Sequence, residues 1–213
     1  ALAVKPVQTG CEPDADGTLR APDVEAYLAA AGDRLPASAR GAMTCLTFRR
    51  ACSPHLAAAQ EADDAAPGAD ILERIQAHVR ALPQRSLLVE GAGGVMVPLG
   101  GRATMLDLMA RLGLPVLLAA PNRLGAVNHV LLSLAALDGR GLAVAGVVLT
   151  QPQPLPDPDP DADIRADNPG VIARLGGVPV LAEIPHTSGA HTAAGRARLD
   201  PIFDGLCRRL GFA

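Results

Sequence analysis

Short apolar runs alternate with amphipathic stretches along the whole chain. Residues 2–4 read as a strand that stops at Lys5-Pro6, since proline cannot donate to a ladder and stiffens the loop through Gly10. Residues 11–20 are mostly polar and predict a surface loop. Ala21-Pro22-Asp23 before Val24 to Leu28 predicts a helix start, with proline in the first turn and acids at the positive end of the dipole. Cys52-Ser53-Pro54-His55 leads into a helix over 55–61, and residues 62–69 form an Asp/Ala/Pro/Gly connector. Asp70 is expected to cap a helix to about Leu82, with Ile71, Ile75 and Val79 on one face.

The second half repeats the alternation. Residues 86–89 read as a short buried strand. Residues 104–112 read as a helix with Leu106, Met109 and Ala110 inward. Residues 114–120 form a continuous apolar run, the pattern of a parallel strand buried on both faces. Residues 121–129 open a helix through Leu137, and residues 142–149 form another buried strand. A Pro/Asp-rich loop over 152–163 follows, then a helix over 169–175 capped by Asn168 or its neighbour, a strand over 178–181 and a last helix over about 198–210. Strands alternating with crossover-length helices predict a single doubly wound α/β domain over 1–213, with a mostly parallel sheet and helices on both faces.

Ligands of such sheets collect beyond the carboxyl ends of the strands, which directs attention to three places. The first is Glu90-Gly91-Ala92-Gly93-Gly94, one carboxylate followed by glycines that let a backbone approach a ligand. It suits a metal–phosphate corner, or is simply a Glu opening a glycine turn. The second is Lys5 with Thr9, a cation and a hydroxyl at a strand end, or a solvated lysine and a turn. The third is Gly125 to His129, where Asn128 and the helix start could meet an anion. His129 itself is expected to be packed and hydrogen-bonded. Asp23 is either a dipole-stabilising acid or a metal ligand.

Composition narrows the partners. Aromatics make up 2% of the 213 residues, there is no Trp, and the formal net charge is −3. Base stacking on nucleic acid and attraction to an anionic membrane are therefore not expected. Cys11, Cys45, Cys52 and Cys207 lack paired CxxC spacing and read as reduced thiols of a cytoplasmic protein. No apolar run reaches membrane length.

Lys5-Pro-Val-x-Thr-Gly, Val89-Glu-Gly-Ala-Gly-Gly, Leu124-Gly-x-x-Asn128-His129 and Val178-Pro-Val-Leu-Ala-Glu-Ile-Pro, in this order, resemble the dethiobiotin synthetase family over nearly the whole chain. The resemblance implies a P-loop NTPase fold and an ATP- and Mg2+-dependent ligase of biotin biosynthesis. Its substrates would be 7,8-diaminononanoate and CO2, joined through a carbamate and a carbamoyl-phosphate. By that likeness Lys5 is the catalytic lysine and Thr9 binds substrate. Asp23 and Glu90 hold magnesium, while Glu90, Gly91, Ala92 and Gly93 line the nucleotide and substrate. Gly125 and Asn128 face the substrate's distal carboxylate across a homodimer interface. Thr150 and Gln151, with Pro185 and His186, lie where the family reads the nucleotide base.

Two departures accompany the likeness. The signature G-x-x-x-x-G-K-[ST] is absent from these residues, and the chain opens inside a strand. The expectation is that a strand–loop–helix unit of roughly 30 residues is missing upstream. Thr150 stands where the family usually has an Asn, and it lacks the amide's paired donor and acceptor. Two other readings stay open: a non-catalytic homologue serving as a binding or dimer scaffold, and another P-loop ligase of the cobyrinate-amidation type.

Overall fold

The computed structural model describes residues 1–35, 39–61, 71–83 and 86–212. The expected cap Asp70 and the connector 62–69 lie outside them. The chain divides into two compact units, residues 1–112 and 113–213.

In the first unit, β1 (Leu2–Val4), β2 (Val7–Gln8), β3 (Glu12–Pro13) and β4 (Leu19–Arg20) lead into α1 (Pro22–Ala31), α2 (Arg40–Met43) and β5 (Leu46–Thr47). Then come α3 (Pro54–Glu61), α4 (Ile71–Arg80), β6 (Leu87–Val89), β7 (Pro98–Gly100), β8 (Ala103–Thr104) and α5 (Met105–Leu112). β1 pairs with β6 and β2 with β5, both parallel, while β3–β4 and β7–β8 are antiparallel pairs. The apolar stripe of α4 (Ile71, Leu72, Ile75, Val79) packs with Val7, Leu99, Met105 and Leu108 in one core. Leu2, Val4, Val24 and Met43 form a second. Helix α5 opens on a capping box, with the Thr104 N–H and hydroxyl both donating to Asp107 Oδ2 at 2.8 Å.

β6 is not a fully buried strand. Its side chains alternate, so Leu87 and Val89 pack on the cores while Leu88 points the other way and is 61% exposed.

The second unit contains β9 (Val116–Pro121), α6 (Ala126–Asp138), β10 (Val144–Thr150), α7 (Ala162–Gly176), β11 (Val180–Ile184) and α8 (Ala193–Arg209). Its parallel sheet has the order β11-β10-β9. Val147 and Leu149 of β10 pack with Val130 and Leu134 of α6 and Ile172 of α7. β10 is the buried centre, whereas β9 is half-buried with Ala119 exposed, so its apolar run does not mean burial on both faces. Among the described residues β9 has a sheet partner on one side only.

Two helices start earlier than proline-based reading predicts. Asn168 is no cap: α7 begins at Ala162, inside the expected loop, and runs through Pro169. Helix α8 begins at Ala193 and carries Pro201 inside it. Thr192 caps it, accepting from the Gly195 N–H at 3.1 Å. Both α/β units rest on parallel strands, as the alternating pattern predicts.

Candidate active site

The register of β1 and β6 places the first two site residues. Val4 lies opposite Val89, and the Glu90 N–H donates to the Val4 carbonyl at 2.8 Å. Lys5 and Glu90 therefore leave neighbouring strands at the same level. Lys5 Nζ meets Glu90 Oε1 at 2.6 Å and Asp23 Oδ2 at 2.8 Å. Asp23 comes from the first turn of α1, which Pro22 starts. Four residues on, one turn along the same face, Tyr27 donates its hydroxyl to Glu90 Oε2.

Lys5 is buried, whereas Asp23 and Glu90 keep 39% and 53% of their side chains exposed. Burial alone pulls the lysine's pKa down. Hydrogen bonds and charge from Asp23 and Glu90 outweigh that pull and hold it above the ordinary value, so the ammonium stays charged. Burial, then the bond to Glu90, pushes the Tyr27 hydroxyl up, keeping it a neutral donor. One ammonium thus shares two carboxylates, leaving the cluster a net negative charge.

Lys5 also lines a cavity of about 290 Å³, together with Thr9, Gln8, Cys52, Ser53, Ala92 and Gly93. Its burial, not solvation, is what the structure shows for Lys5. Gly93 has φ +80°, and a Cβ there would sit 2.8 Å from Val97 Cγ2. The glycine is needed both for the turn's handedness and for its closeness to Val97. Gly91 borders Met105 in the same turn.

The two carboxylate oxygens converge on one cationic atom, and hard oxygen donors of this kind suit a divalent ion that completes its shell with phosphate and water. Among the described residues no group of three or more His, Cys, Asp and Glu is placed to hold a metal.

In the second unit, Gly125 is the N-cap of α6 with φ +88°, and Asn128 is exposed on its first turn. His129 is exposed, not packed, because it faces away from the Ala126–Val130–Leu134 stripe that α6 buries. Thr150 ends β10 opposite Ile184, and its hydroxyl donates to the Ala120 carbonyl at 3.4 Å. The Gln151 N–H donates to the Ile184 carbonyl at 2.8 Å, which brings Gln151 beside Pro185 and His186.

A family described as an AAA domain matches residues 3–192. An ATP-dependent dethiobiotin synthetase of Pseudomonas paraeruginosa is 40% identical over 208 residues, covering 96% of this chain and 85% of its own. One from Pseudomonas aeruginosa is 41% identical over 206 residues, with the same coverage. One from Aromatoleum aromaticum is 37% identical over 93% of this chain and 83% of its own. The chain belongs to the dethiobiotin synthetase family. Membership agrees with the ordered motifs and with the parallel α/β architecture.

Within this dethiobiotin synthetase homologue, Lys5, Asp23 and Glu90 come together, and Thr9, Ala92 and Gly93 share the cavity with Lys5. Tyr27 and Gln8 were not singled out by sequence. The signal for Tyr27 was its spacing of four from Asp23, a placement that a charge-based search passes over. Gln8 gave none, because strand β2 is too short to show alternation.

Proposed function

We propose that this protein closes the ureido ring of dethiobiotin. One amine of 7,8-diaminononanoate takes up CO2 as a carbamate. A carbamate oxygen then attacks the γ-phosphorus of ATP, breaking its bond to ADP and forming a carbamoyl-phosphate. The second amine attacks the carbamoyl carbon and expels phosphate, giving a cyclic urea.

Lys5 bridges the negative charge of carbamate and γ-phosphate, and Thr9 hydrogen-bonds the substrate end in the cavity. Phosphoryl transfer depends mostly on positioning and charge neutralisation, which a buried lysine held in its charged form provides. Asp23 and Glu90 would hold Mg2+, which when bound supplies further neutralisation of the phosphate oxygens. Glu90, Gly91, Ala92 and Gly93 line the nucleotide and substrate, and Thr150, Gln151, Pro185 and His186 read the nucleotide's base. Gly125 and Asn128 receive the distal carboxylate. The working form in this reading is one α/β domain per chain, paired as a cytoplasmic homodimer.

The observation that carries the reading is the convergence of Asp23 and Glu90 on Lys5 beside the cavity. The test supplies the diamine, bicarbonate and Mg-ATP, and follows products by mass spectrometry. Dethiobiotin and phosphate in equal amounts are expected. An amidated acid, or binding of the diamine with no nucleotide turnover, would overturn the proposal.

A further inference from the structure

Pro169 lies inside α7. It has no N–H, so the carbonyl four residues back, that of Arg165, loses its helical donor. The Asn122 side chain fills the gap: its Nδ2 donates to that carbonyl at 3.1 Å and to Glu183 Oε2 at 3.3 Å. Asn122 Oδ1 accepts from Asn168 Nδ2 at 2.8 Å, and Asn168 Nδ2 also donates to the Arg123 carbonyl at 3.2 Å. The Asn122 backbone N–H holds the Thr150 carbonyl at 2.8 Å.

Both asparagines are buried, at 7% and 5% exposure. A buried amide is costly unless paired, and a network of this kind specifies one arrangement of what it touches. Here it touches Arg123-Leu124-Gly125, the turn that delivers α6. That turn lacks a side-chain cap of its own. Its closing bond, the Ala126 N–H to the Arg123 carbonyl at 3.0 Å, uses the same oxygen that Asn168 holds. Leu124 is 72% exposed and contributes little packing to fix the turn.

We propose that Asn122 and Asn168 are positioning residues for substrate, clamping the Arg123–Gly125 turn so that the start of α6 is held in place for the distal carboxylate. The clamp rests on the reading that Gly125 and Asn128 receive that carboxylate. Pro169 is part of the device, since it frees the carbonyl that anchors Asn122 to α7.

Calorimetry with 7,8-diaminononanoate and with its methyl ester separates the two ideas. The parent protein should bind the acid about tenfold or more tighter than the ester, the worth of charge-assisted hydrogen bonds. Asn168→Asp keeps the shape and removes both donors. It should erase most of that preference by weakening the acid alone, with thermal unfolding still cooperative. Equal weakening of acid and ester, or a preference left intact, overturns the clamp. A parent protein blind to the carboxylate instead overturns the reading of Gly125 and Asn128. If Asn168→Asp does not fold, Pro169→Ala offers the Arg165 carbonyl a competing N–H and should shrink the preference in the same direction. A full preference in that variant again overturns the clamp.

Discussion

Lys5 and Glu90, 85 residues apart in sequence, meet at 2.6 Å because the strands they follow are paired in register. Asp23 completes the arrangement from α1 at 2.8 Å. The lysine is buried while its two carboxylate partners stay partly solvated, so a single ammonium supplies the positive charge of the cluster.

Lys5→Met should therefore lower the rate of dethiobiotin formation by about 10²- to 10³-fold, the scale seen when a transition-state charge partner is removed. Circular dichroism should show an unchanged fold. A rate within about tenfold of the parent would remove Lys5 from the chemistry.

Glu90→Gln should abolish magnesium-dependent turnover while leaving the fold intact, and full activity would end the metal assignment. Tyr27→Phe is the subtler variant, because it deletes only the hydroxyl bonded to Glu90. If Glu90 holds the ion, losing its hydrogen-bond partner should weaken magnesium binding about tenfold in calorimetry. An unchanged affinity would make the tyrosine a packing residue.

The Lys5 ammonium is held above its ordinary pKa of 10.5. Its contribution to stability is thus complete below that value and is lost as pH rises through the higher folded-state value. Urea unfolding should show a fall in stability on going from about pH 9 to about pH 11.5 that is smaller in Lys5→Met. The same fall in both proteins would assign it to other groups.

Gly93→Ala puts a Cβ at φ +80°, 2.8 Å from Val97 Cγ2. Strain in that turn should destabilise the protein by about 1–2 kcal/mol, read as a lower melting temperature. Diamine affinity should fall with it, because Gly93 lines the cavity. A variant as stable as the parent would mean that the turn relaxes freely.

Much of this site was legible because it is built on strand ends. A strand that stops at Lys5-Pro6, and another that stops at Glu90 and a glycine turn, place their side chains through register alone. Asp23 was ambiguous between dipole and ligand in the sequence, where its ion pair with Lys5, formed between distant elements, leaves no mark. The start of α7 was illegible for a tertiary reason: Pro169 reads as a boundary until Asn122, distant in sequence, supplies the missing donor. Leu88 misled because a three-residue strand is too short to show which face is covered. His129 misled because α6 is apolar around much of its circumference, which hides the side that faces solvent.

Tyr27 is the chain's single tyrosine, and tryptophan is absent. Within these 213 residues, ultraviolet fluorescence above the weak phenylalanine band therefore arises from one phenol, bonded to Glu90. Any event that draws Glu90 away from it, whether a cation arriving or Lys5 departing, changes the light this molecule emits. The charge cluster thus carries its own optical reporter, readable without a label.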